Sequence, residues 1–139
     1  MKKAVGFLVL TLMLISCKQT IASKDIAKIN GYWEIEKVEL PDGEDKDYKV
    51  NPTIDYFELK GNKGFRQKVM PQFDGTYLTN NLKETIEITQ ESGDFYINYT
   101  TQYGKWKEEI IEIKDSVLVL KNKENLEYHY KKSVPFSVK

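Results

Sequence analysis

Two kinds of apolar pattern divide the chain. The first is an unbroken run, Ala4 to Ile15, behind the positive start Met1-Lys2-Lys3, with Thr11 as its one mild exception. A membrane-spanning helix needs about 20 apolar residues, and this run is shorter. From residue 30 onward the pattern is short segments of alternating apolar and polar positions, bounded by Gly, Pro, Asn and Asp, which is the mark of strands and tight turns. "YWEIEKVEL" opens the series, with Trp33 and Ile35 on one face, and the polar stretch "PDGEDKDYKVNP" reads as a loop. "TIDYFEL", the turn "KGNKG" and "FRQKVM" form the clearest hairpin, because Gly61 and Gly64 supply the permissive backbone of a tight reversal. After the turn "PQFDG", "TYLTN" reads as a weak short strand, and "ETIEITQ" alternates cleanly around Ile86 and Ile88. "FYINYTT", "YGKWKEEIIEI", "VLVL" and "LEYHYKK" follow, each set off by a turn; "VLVL" is apolar on both faces, as a well-covered strand is. "SVPFSVK" is too broken by Pro135 to assign.

Eight or nine strands, close in sequence and without crossover helices, predict an all-β antiparallel up-and-down meander. Closing such a sheet into a barrel of about eight strands removes its exposed edges. An interior of that width is either filled by side chains or holds one small ligand. Residues 17–29 read as a polar tether ending in a helical turn, residues 30–132 as the barrel and residues 133–139 as a tail.

A positive start, a short apolar core and a small exit residue describe a secretory signal over residues 1–16. Leu14-Ile15-Ser16-Cys17 resembles the lipobox of bacterial lipoproteins, and Cys17 is the sole cysteine in the sequence. The resemblance implies cleavage before Cys17 and acylation of its thiol. Two acyl chains, palmitate-like in length, hold a protein on a membrane where one does not. The expected location is the bacterial envelope, lipid-anchored, on the outer membrane facing the periplasm, because Lys18 stands where aspartate would favour the inner membrane and no acidic cluster follows the cysteine. A lone, attached thiol leaves no disulfide within the mature chain, so packing must hold the fold.

Charge narrows the partners. Of the 21 basic residues, Lys2 and Lys3 leave with the signal, so 19 face 21 acidic ones, a net charge near −2. That balance excludes a nucleic-acid binder, which wants a basic face.

"NGYW" places Gly31 and Trp33 in a G-x-W motif just ahead of the first strand. This resembles the first signature of lipocalins, in which the tryptophan packs across the closed end of the barrel. With the turn rhythm and the export signal, the chain resembles the bacterial lipocalin-like domain lipoproteins. The late arginine that packs on that tryptophan in true lipocalins is absent; Arg66, the only arginine, lies in the "FRQKVM" segment, and Lys131 or Lys132 stands where a cation–π substitute would be needed.

The chemistry-bearing residues are sparse. Tyr96, Tyr99, Tyr128 and Tyr130 are a candidate ligand pocket, since tyrosine offers a flat apolar face with a polar tip; the alternative is that they fill or cover the barrel. His129, the only histidine, is expected on the face opposite Tyr128 and Tyr130, with no serine beside it and no second thiol, so neither a catalytic triad nor a metal site is expected. The acidic loop Asp42, Glu44, Asp45, Asp47 lacks the spacing of a calcium loop and contains Lys46. Asn98-Tyr99-Thr100 matches the N-x-T glycosylation pattern and reads as chance, while Asp115-Ser116-Val117, three residues in a turn, resembles a short O-glycosylation pattern of some bacterial exported proteins. The expected function is a membrane-anchored binder of a small hydrophobic or amphipathic ligand, with no enzyme activity and no cofactor. The alternative is a solid barrel that docks, as inhibitor or accessory subunit, on an unidentified envelope protein.

Overall fold

A computed structural model describes residues 20–134. The signal segment, Cys17 and the end of the tail lie outside the described residues. A 3₁₀ helix, Ser23–Ile29, leads into nine strands: β1 (Gly31–Glu39), β2 (Asp45–Asp47), β3 (Ile54–Lys60), β4 (Lys63–Pro71), β5 (Tyr77–Glu91), β6 (Asp94–Thr101), β7 (Gly104–Ile113), β8 (Val117–Lys121) and β9 (Glu127–Lys132). Each strand from β3 to β9 pairs antiparallel with the next, β3 pairs with β1, and β9 pairs back onto β1. Eight strands thus close a barrel, and β2 is an extra strand on the free part of the β1 edge.

The period-two pattern sets the inside. Trp33 on β1, Phe57 on β3, Ile86 on β5, Ile97 on β6, Ile110 on β7 and Leu118 on β8 are buried in one core. Burying a side chain of this size contributes about 1.5–3 kcal/mol. "VLVL" is covered on both faces, as its composition indicates, with Leu118, Val119 and Leu120 all buried. The 3₁₀ helix closes one end of the barrel and sends Ile26 and Ile29 into the core. At that end the β3–β4 reversal is so tight that a Cβ on Gly64 would lie 1.8 Å from the Glu58 carbonyl oxygen.

Two elements differ from the sequence expectation. "TYLTN" and "ETIEITQ" are one strand, β5, and not two. Between Gln67 and Val69 the β4 register jumps from Lys83 to Thr79, so β5 carries the surplus residues as a bulge, and Asn81 there takes φ 60°. Asparagine tolerates that left-handed backbone, and the polar pair Asn80-Asn81 breaks the alternation that would have marked continuity. The acidic loop also holds a strand. Gly43, at φ 88°, donates to the Leu40 carbonyl at 2.9 Å, and Leu40 N–H donates to Glu44 O at 2.8 Å. The chain then runs back with Asp45–Asp47 against Lys37–Glu39. All three β2 residues are exposed and charged, so no apolar period announces them.

Candidate functional site

The closed end is built around Trp33. Its indole Nε1 donates to the Ile29 carbonyl at 2.7 Å, tying the 3₁₀ helix to β1. Lys132, the last residue of β9, sets its ammonium 4.5 Å from the centre of the Trp33 ring and donates to the Asn30 carbonyl at 2.6 Å. Of the two lysines in question, Lys132 therefore takes the cation–π position. Partial burial lowers its pKa, against the charge of Asp115. Gly31 has φ 121°, and a Cβ there would approach the Lys132 Nζ to 2.8 Å. The glycine thus leaves the space the lysine enters, and both halves of the G-x-W motif have a physical role.

Midway up the barrel the inward stripe turns polar. Two residues from Ile86, Glu84 takes a two-pronged contact from Arg66: Nε to Oε1 at 2.8 Å and Nη2 to Oε2 at 2.9 Å. Arg66 Nη1 donates to the Tyr99 hydroxyl at 3.3 Å and lies 3.6 Å from Glu108 Oε1. The guanidinium also sits 4.3 Å from the Tyr99 ring centre, and Tyr99 stacks on Trp106 at 5.2 Å. Asp55, 2 % exposed, has Oδ1 2.8 Å from the ammonium of Lys68. That contact is an ion pair without hydrogen-bond alignment, since Asp55 Oδ1 and Glu108 Oε1 are both buried oxygens with no hydrogen-bond donor. Burial opposes the Arg66 charge, but Tyr99, Glu84 and Asp55 outweigh it and hold its pKa above normal. Burial raises the Glu108 carboxyl, and the Tyr99 hydroxyl and Arg66 only partly offset this.

Of the four candidate pocket tyrosines, three come together. Tyr99 and Tyr130 are buried inside, and burial pushes both hydroxyls well up, aided by Glu108 and, for Tyr130, by Asp55. Tyr128 is half-buried against the same core, its hydroxyl accepting from Asn122 Nδ2 at 3.2 Å. Tyr96 does not join them. It alternates with the buried Phe95 and Ile97, so it faces outward, where Lys107 lies 4.6 Å from its ring centre. His129 is likewise outward, 3.4 Å from Glu39, with Glu127 close by.

The open end carries a cleft of about 620 Å³, lined by Lys68, Asn80–Glu84 and the β6–β7 turn Thr101–Tyr103. Large apolar side chains gather around this end. Tyr103 is 90 % exposed and Trp106 40 %, and Met70, Leu78 and Leu82 are also exposed. The mouth is therefore apolar at its rim and charged at its floor. Arg66, Glu84, Glu108 and Asp55 were not among the sequence candidates, although each extends an inward stripe by two residues or faces one across a hairpin.

Residues 29–120 match the sequence model of the lipocalin-like domain. The chain belongs to this lipocalin-like family. Among solved structures it is similar to a lipocalin-like protein of Bacteroides uniformis at 12% identity and TM-score 0.48, over 76% of this chain and 99% of that one. It is also similar to an uncharacterized Bacteroides eggerthii protein at 14% identity and TM-score 0.46, over 75% and 98% of the two chains. Lobster apocrustacyanin A1 shares 11% identity at TM-score 0.44, over 79% of this chain and 63% of its own. No curated protein has significant sequence similarity to the chain. A lipocalin-like barrel is consistent with small-ligand binding.

Proposed function

We propose that this lipocalin-like protein is a lipid-anchored envelope protein that takes a small hydrophobic or amphipathic ligand at its open end. The observation that carries the reading is the mouth: a cleft of about 620 Å³ rimmed by Leu82 and Tyr103 over a floor containing Glu84 and Lys68. A pocket of several hundred Å³ with an apolar wall and few polar groups is the usual form of a small-molecule site. Trp33, Phe57 and Leu118 fill the closed half, so the ligand is held near the rim and not in a deep cup.

The anchor fits this geometry. Thr20 and Ile21 lie beside the β5–β6 turn, at the closed end. Cys17 precedes Thr20 by three residues, a reach of about 10 Å of extended chain. An acylated Cys17 therefore brings the closed end to the bilayer and points the mouth away from it.

The alternative, a barrel that docks on another envelope protein, draws on the same exposed rim. The packed closed half favours it, since a solid barrel needs no ligand. The two readings separate on purification of the full chain carrying Cys17→Ser. Native mass spectrometry is expected to show a co-purifying small molecule, and an apolar dye is expected to quench Trp106 in the Trp33→Phe background. Absence of both turns the assignment to docking.

A further inference from the structure

We propose that the ligand taken at the mouth is a cationic amphiphile, whose amine head pairs with Asp55 and Glu108 and whose apolar body lies along Leu82, Tyr103 and Trp106. The inference rests on the mouth-binding reading above and specifies its chemistry. Among the described groups of the mid-barrel cluster, three carboxylates, Asp55, Glu84 and Glu108, surround the one enclosed cation, Arg66. The arginine is already committed: two of its nitrogens go to Glu84 and the third to the Tyr99 hydroxyl. On side chains 8 % and 3 % exposed, Glu108 and Asp55 each keep one oxygen that has an ion-pair neighbour, Arg66 at 3.6 Å and Lys68 at 2.8 Å, but no aligned hydrogen-bond donor. A buried acceptor without a donor costs about 1–3 kcal/mol, more when charged. An incoming ammonium supplies both the charge and the donors.

The protein already carries a stand-in for that group. Lys68 lines the cleft, its side chain is 57 % exposed, and its ammonium lies 2.8 Å from Asp55 Oδ1. A primary amine on a flexible four-carbon stem thus enters from the mouth side, as the head of a ligand would, and can swing back to solvent. The aromatic rings of Tyr99 and Trp106 stand beside the same cluster, and a ring face attracts cations. A carboxylate head meets the opposite situation at this cluster, where it faces Glu108 and Asp55 and three of the five Arg66 N–H groups are already engaged; its cationic partners would be Lys68 and Lys83 on the cleft wall.

Three probes of equal chain length test this on the full chain with Cys17→Ser and Trp33→Phe, read by Trp106 emission: dodecylamine, dodecanol and dodecanoate, each below its micellar concentration. Dodecylamine is expected to bind at least about tenfold tighter than either other probe, the scale of one close charge pair. Glu108→Gln is expected to erase most of the preference for amine over alcohol. Lys68→Met is expected to strengthen dodecylamine binding, because the internal competitor is gone. Equal or tighter binding of dodecanoate, or weaker amine binding in Lys68→Met, overturns the cationic assignment and leaves mouth binding standing. If none of the three binds, mouth binding itself fails, and this inference with it.

Discussion

Lys132 is the residue on which the closed end can be measured. Lys132→Met keeps most of the side chain's length and removes its charge. Two interactions go with the ammonium. The cation–π contact with Trp33 is worth about 0.5–1 kcal/mol at a partly exposed site. The hydrogen bond to the Asn30 carbonyl is charge-assisted, worth about 1.5–3 kcal/mol when shielded, and the lower end applies because solvent reaches this lysine. A loss of about 2 kcal/mol is expected. For a barrel of this size that lowers Tm by about 8 °C. Urea unfolding followed by circular dichroism reads the free energy directly. Lys132→Arg is expected to retain the stability, since a guanidinium also stacks on indole and Gly31 leaves room beside it. The pair Lys132→Met and Trp33→Phe completes a double-mutant cycle with a coupling of about 0.5–1 kcal/mol. If Lys132→Met unfolds within about 0.5 kcal/mol of the parent, or the cycle shows no coupling, the ring and the ammonium do not hold the floor together.

Trp33→Ala removes a fully buried indole and is expected to cost about 3–5 kcal/mol; an unchanged melting temperature contradicts the packing role. Glu108→Gln tests the buried carboxyl. Because the folded state raises its pKa, the native protein holds that proton more tightly, so the associated stability is full below the ordinary carboxylate range and is lost as pH rises through the raised value. The variant cannot ionise, so its stability relative to the parent is expected to climb as pH rises above the ordinary carboxylate range, and a flat difference in Tm over that rise refutes it. Gly64→Ala is expected to destabilise by about 1–3 kcal/mol or more, since the new methyl meets the Glu58 carbonyl; native-like unfolding in urea disproves the close approach.

The fold was largely readable because period-two patterning survives wherever one face is buried. Ile86 and Ile88, or Phe95 and Ile97, announce both a strand and its inward side. The pattern fell silent where no face is buried, at the charged β2, and where a bulge shifts the phase, at Asn80-Asn81. It reached the closed-end motif, since glycine and tryptophan at that spacing carry their own packing logic, and it narrowed the cation to two neighbouring lysines. It missed the polar layer because charged residues are normally assigned to water. Glu84, Glu108 and Asp55 stand two residues from Ile86, Ile110 and Phe57, so extending each inward stripe by one step would have placed them inside. What no stripe tells is the pairing across strands that sets Arg66 opposite Glu84. Tyr96 was grouped with Tyr99 by residue type, although their odd spacing already puts them on opposite faces.

The wall of the barrel is unevenly stitched. β1 meets β3 only from Gly31 to Trp33, and higher up its edge is taken by the short, solvent-exposed β2. Every other seam of the eight-stranded barrel is longer. A guest too wide for the mouth would therefore part the sleeve along this line first, and amides of β2 and upper β1 should exchange with deuterium before those of β5 and β6. Dilation has a built-in direction, because the charged flap of β2 is paired to β1 alone and does not carry the seam across to β3.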